Sequence, residues 1–199
     1  MNCCGAKHAW DEHEVERQWM HRPVRCLVVG ENPGDTGARY FYSEPLVPDR
    51  VVVRKNLLVG LYEAGVLTAP TLCAFRAAGF VFDHAIRCRL PARVVDRERR
   101  MALRYASVRA EAAAHLRPLL LESSIVWAMG YIALNAVAVF FPEIPRRRDR
   151  ISESAGGFVL PCGPLVFVSR YLTRISEEAA ISICKRFVGF AGEQGIRLA

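Results

Sequence analysis

Residues 125–141 read IVWAMGYIALNAVAVFF, a run without a single charge. A membrane-crossing helix needs about 20 consecutive apolar residues, and this run falls just short. Gly130 divides it into a β-like half, SIVWAM, and a helix-like half, YIALNAVAVF, closed by Pro142. The stretch therefore reads as a buried strand, a tight turn and a buried helix. That unit belongs to an α/β protein and not to a membrane protein.

Working outward, the same alternation recurs. Residues 24–29 (VRCLVV) are a short apolar run ending at Gly30 and predict a buried strand. A loop of turn residues follows, GENPGDTGARYFYSEPLVPDR, too long for a plain connector. Residues 51–65 carry apolar side chains at helical spacing and stop on Gly65. Residues 79–86 (GFVFDHAI) predict a second strand, and 96–121 a long Arg-bearing helix broken near Pro118. Residues 124–129 are the third strand and 131–141 the next helix. A basic loop at 146–150 precedes residues 158–168 (FVLPCGPLVFV), a hairpin or a fourth strand interrupted by Pro and Gly. Residues 175–191 form the last helix, with Ser176 as N-cap and Glu177 and Glu178 in its first turn. Residues 10–21 predict a short polar helix within a polar N-terminal segment, 1–22.

Continuous apolar strands between helices predict a mostly parallel, four-stranded sheet in a three-layer αβα sandwich. At 199 residues the chain suits one domain spanning 1–199. In such sheets functional loops leave the carboxyl ends of the strands. Four places qualify: after Gly30, after Ile86, at Gly130 and after Val168.

The net charge is +7, and its make-up is uneven. Of 27 basic residues only Lys7, Lys55 and Lys185 are lysines, which leaves 24 arginines. Arg binds phosphate bidentately and stacks on bases, so a nucleic-acid partner is one explanation and Arg-biased codon usage the other. The seven cysteines are odd in number, with no CxxC, and the first residues lack the apolar core of a signal peptide. A reducing cytoplasm fits best. No GxGxxG or GxxxxGK[ST] occurs, which speaks against dinucleotide or P-loop chemistry.

The loop after the first strand opens Gly30-Glu31-Asn32-Pro33-Gly34. Pro33 fixes its own backbone and pushes Asn32 to an extended conformation, while the glycines allow a sharp turn close to a ligand. The aromatics Tyr40, Phe41 and Tyr42 follow. This segment resembles the uracil-DNA glycosylase superfamily. Its family 4 carries GExPG after the first strand, and its mismatch-specific and single-strand-selective branches carry G-x-NPG. A second resemblance lies at Asp83-His84-Ala85-Ile86-Arg87-Cys88-Arg89-Leu90-Pro91, where family 4 shows Asn, two apolar residues and Lys-Cys-Arg-Pro-Pro. His84 stands in place of that Asn. Where the superfamily has a His-Pro-Ser segment after the last strand, Val166-Phe167-Val168 here runs into Ser169-Arg170-Tyr171-Leu172, without the His, and Val168 or Ser169 stands near its place.

The resemblance implies a DNA glycosylase of base excision repair, acting on a flipped base with DNA as its partner. Asn32 would position the attacking water, Glu31 would orient it or offset charge on the sugar, and Arg170 would stabilise the departing base. Gly30, Pro33 and Gly34 would cradle the nucleotide, Tyr40 or its neighbour Phe41 would stack on the base, and Asp83 and His84 would meet its edge. Arg89, Arg146, Arg147 and Arg148 would grip phosphates. Family 4 also holds an iron–sulfur cluster. Cys88 matches one ligand, but Arg104 stands where another is expected and Cys3-Cys4 are adjacent, so neither cluster nor metal nor organic cofactor is expected. His8, His13 and His21 fit no zinc spacing. Two rivals stay open: a DNA-binding protein of the same fold without activity, and a hydrolase of free nucleosides or nucleotides. The oligomeric state is not legible.

Overall fold

The apolar runs become strands because each is covered on both faces. In the computed structural model, residues 9–12, 14–31, 40–43, 51–87, 115–144, 156–173 and 175–198 are described. Strands β1 (Cys26–Gly30), β2 (Phe80–His84) and β3 (Ile125–Met129) are buried at every position. With β4 (Gly156–Phe158) and β5 (Leu165–Ser169) they form one five-stranded sheet in the order β2-β1-β3-β5-β4. Every neighbouring pair is parallel except β4 with β5.

The four-stranded expectation is thus corrected to five. Of the two options for 158–168, the hairpin is the one adopted. Pro161 and Pro164 flank the turn and cannot donate to a ladder, so the strand splits there. β4 begins at Gly156, and a Cβ at Gly157 would overlap the ring of Phe190. Only glycine lets this edge strand lie beneath that ring.

The helices are α1 (Ala9–Glu12), α2 (Val15–Gln18), α3 (Val52–Glu63), α4 (Leu72–Ala77), α5 (Arg117–Glu122), α6 (Tyr131–Val137) and α7 (Glu177–Glu193). Pairing in register puts Phe80, Phe82, Trp127 and Phe167 on one face. There Phe187 of α7 stacks on Trp127 at 4.6 Å and meets Phe167 at 5.3 Å. α3 packs on α7 so closely that a Cβ at Gly60 would overlap Cys184. α6 packs on β3 and β1. The crossover from β1 to β2 runs one way along the sheet and that from β3 to β5 the other. Right-handed crossovers in opposite directions put α3 and α6 on opposite faces, as a three-layer sandwich requires.

Other boundaries moved. α4 was not expected; Thr71 caps it by accepting from the Ala74 N–H at 3.2 Å. Ser176 caps α7 as expected, accepting from the Ala179 N–H at 3.3 Å. Pro118 sits in the first turn of α5, where its missing N–H is tolerated, and does not break a helix there. Residues 96–114 lie outside the described residues. The N-terminal segment is two short turns rather than one polar helix, and it buries Trp10, Val15 and Met20. It lies along the outer edge of the sheet: Trp19 stacks on Tyr42, whose hydroxyl accepts the Phe82 N–H of edge strand β2 at 2.8 Å. Arg22 ties it down through ion pairs with Glu16 and Glu122. No described helix is long and apolar enough to cross a membrane.

Candidate functional site

β1 has β2 on one side and β3 on the other. The chain leaving β1 heads for one neighbour and the chain leaving β3 heads away from it, so the carboxyl rim opens between these two strands. Gly30, Glu31 and Gly130 stand at that opening. A Cβ at Gly30 would fall 2.8 Å from the Phe82 ring and 3.3 Å from Cδ2 of His84. Glycine is what allows His84 to sit beside the end of β1. Gly130 turns with φ 87° to start α6, and its N–H donates to the Ser169 carbonyl at 2.7 Å.

The β2 side of the rim is densely packed and polar. Asp83 is fully buried and held by Arg87, whose Nη2 donates at 2.8 Å and Nε at 3.2 Å. The His84 N–H donates to the same carboxylate at 2.7 Å. Burial pushes the Asp83 carboxyl up, but Arg87, His115 and these hydrogen bonds prevail and leave it below the usual carboxylate range. Trp10 covers the Arg87 guanidinium at 4.1 Å, a cation–π contact. His84 is 3% exposed, and burial outweighs the pull of Asp83 and lowers it to about 4. Its imidazole is neutral near pH 7, with one donor and one acceptor. The Tyr40 ring lies 5.4 Å from that of His84, and burial followed by the charge on Asp83 keeps its phenol protonated.

A buried arginine holds the aromatic turn. Arg54 of α3 donates through Nη1 to the carbonyls of Phe41 and Ser43, both at 3.0 Å. Ser43 closes the turn on the Tyr40 carbonyl through its N–H at 3.0 Å and its hydroxyl at 2.8 Å. Phe41 points into the core and stacks on Phe82 at 4.2 Å, whereas Tyr40 faces His84. Of the two stacking candidates, Tyr40 is the one beside the other site residues.

The β5 side is built differently. Ser169, which with Val168 stands near the place where the resemblance expects a histidine, is buried and accepts the indole N–H of Trp127 at 2.8 Å. Arg170 is exposed. Tyr171 is half-buried, beside Gly130. Burial, and after it the charge of Glu31, raises its phenol above the ordinary value. Asn56 of α3 donates to the Leu172 carbonyl at 2.6 Å and fixes this segment.

The rim thus brings together Gly30, Glu31, Tyr40, Asp83 and His84, with Arg170 at its far side. Asn32, Pro33, Gly34, Arg89, Arg146, Arg147 and Arg148 lie outside the described residues, as do Cys88 and Arg104. Among the described residues no three His, Cys, Asp or Glu side chains are grouped to hold a metal. Tyr42, Arg54, Asn56 and Tyr171 were not singled out from sequence as site residues. Tyr171 had a visible signal, being one residue past Arg170. Arg54 and Asn56 had none, since their partners lie elsewhere in the chain. The arrangement gathers the Tyr40 ring, a neutral imidazole and the Asp83 carboxylate, all three buried, with the half-buried Tyr171 phenol, at the carboxyl ends of the strands. No protein-family model matches the chain, and no curated protein is significantly similar to it.

Proposed function

We propose that the chain is a cytoplasmic DNA glycosylase, a single domain with a uracil-DNA glycosylase-like fold, hydrolysing the bond between sugar and a deaminated or damaged base. The observation that carries this reading is the meeting of Gly30 and Glu31 with Tyr40 and His84 at the switch point of the sheet. The chemistry asks for little else. Water attacks C1′, the electron pair of the C1′–N bond leaves with the base, and the water's proton ends on that base. Asn32, one residue past Glu31, positions the water. Glu31 offsets positive charge building on the sugar. Tyr40 stacks on the extruded base and the neutral His84 meets its edge, at a flipping cost of a few kcal/mol. Arginines of the chain, Arg170 among them, hold the phosphates, a salt-sensitive and sequence-independent term. No metal or cofactor takes part in these steps.

The test is incubation with oligonucleotides bearing uracil, hypoxanthine, xanthine or mismatched thymine, followed by alkali cleavage. Strand scission with at least one of them is expected, with its loss in Asn32→Ala. An Asn32→Ala variant as active as the parent would remove the proposed role of that loop. One observation favours a second reading, a binding protein without activity: near the place of the superfamily's histidine stand Val168, which is apolar, and Ser169, already engaged by Trp127. Tight, salt-sensitive binding with no abasic product would decide for it.

A further inference from the structure

A base that stacks on Tyr40 and meets His84 must touch both rings, yet Tyr40 is 2% exposed and His84 3%. The β2 side of the rim is therefore closed in this structure, and a base enters only if something moves off it. The described elements around it are held with unequal strength. β2 is paired with β1 along its whole length. The aromatic turn is fixed by the buried Arg54 on the Phe41 and Ser43 carbonyls, and charge-assisted bonds of this kind are the strong ones. The outer layer is α1. Its Trp10 lies over Arg87 at 4.1 Å, Arg87 holds Asp83, and Asp83 holds the His84 N–H.

The junction of α1 and α2 has the form of a hinge. Glu14 stands there with φ 46° and ψ 42°, and among the described residues no other non-glycine has a positive φ. A residue with a Cβ is disfavoured in that left-handed region, so the closed arrangement stores strain at this point. Beyond Glu14 the segment is anchored: Val15 is fully buried, Trp19 stacks on Tyr42, and Arg22 is paired with Glu16 and Glu122. Rotation about Glu14 swings α1 away and leaves α2 in place.

We infer that α1 is a hinged cover, closed by Trp10 on Arg87 and opened about Glu14 to admit the base. The seat of Trp10 favours the closed form and the strain at Glu14 the open one. The identity of the ligand rests on the glycosylase reading above; the hinge does not. Arg87 keeps its three hydrogen bonds to Asp83, so opening bares the ion pair without dismantling it.

The test reads the cover first without DNA. Diethyl pyrocarbonate modifies accessible neutral imidazole, and peptide mass spectrometry follows His84, with the exposed His21 as internal standard. In the parent His84 should react far more slowly than His21. Trp10→Ala should speed it about tenfold, the worth of a cation–π seat. Glu14→Gly and Glu14→Ala both lose the side-chain contacts to Arg17 and Gln18, but only glycine relieves the strain of the closed form. His84 should thus react about three- to fivefold more slowly in Glu14→Gly than in Glu14→Ala. This pair leaves the core untouched, whatever Trp10→Ala does to folding. KM for a uracil-bearing oligonucleotide should move the opposite way by similar factors, because only the open form binds. A parent His84 as reactive as His21, no gain in Trp10→Ala, or a faster reaction in Glu14→Gly than in Glu14→Ala overturns the inference. So does a KM that stays fixed while reactivity shifts. The expected reactivities with no base released by any variant uphold the cover and sink the glycosylase reading.

Discussion

The two flanks of the carboxyl rim are built on opposite principles. On the β2 flank an ion pair and its neighbours have been drawn into the interior: Asp83 with Arg87, Arg87 beneath Trp10, Tyr42 with the edge strand. On the β5 flank Arg170 stands in solvent and Tyr171 is only half-buried. Buried pairing is concentrated on the first flank and exposed polar surface on the second. A buried network can orient a ligand without competing for it, because its own hydrogen bonds are already made.

The largest effect should come from breaking the rigid flank. Arg87→Ala leaves Asp83 buried without its partner, and about 3–5 kcal/mol of stability should be lost, read by urea denaturation. A loss below 1 kcal/mol would mean that water reaches Asp83 and that the flank is not rigid. The pH dependence comes next. His84 sits at about 4 in the folded chain against an ordinary 6.5, so the unfolded chain takes up its proton first as pH falls. Stability is then complete above pH 6.5 and declines toward pH 4, by roughly 3 kcal/mol. His84→Gln should flatten that decline. Asp83 is lowered too, and its contribution is lost only as pH falls further, through its own folded value. Smaller again is Ser169→Ala, which leaves the buried Trp127 N–H without its acceptor and should cost about 1–3 kcal/mol. Smallest is Arg170→Ala, within about 0.5 kcal/mol in stability, with its effect confined to DNA affinity. If Arg170→Ala destabilised as strongly as Ser169→Ala, the contrast between the flanks would not hold.

Much of the frame was legible because it is written in local pattern. VRCLVV and IVWAM are unbroken apolar runs, and a strand buried on both faces leaves no other mark. Gly130 announced its turn, and Ser176 its helix. The sheet was undercounted because PCGP at 161–164 splits one apolar run into two short strands, one of only three residues. α4 escaped notice because six residues show too little period, although Thr71 gave its cap. The N-terminal segment looked polar because its few apolar residues, Trp10, Val15 and Met20, are spaced among charges, and only the tertiary fold collects them into the core. For the site, Gly30, Glu31 and His84 could be named from motif order. Arg54 could not: its burial answers two carbonyls in a distant turn, and nothing near position 54 carries that information.

The central claim is that one nucleotide is drawn out of the helix into this rim. A duplex carrying 2-aminopurine next to a target uracil reports this directly, since its fluorescence rises when its neighbour unstacks. Titration with the parent chain should raise the signal several-fold, and Tyr40→Ala should abolish the rise while nonspecific binding persists. Tight binding of the parent with no change in fluorescence would contradict the account.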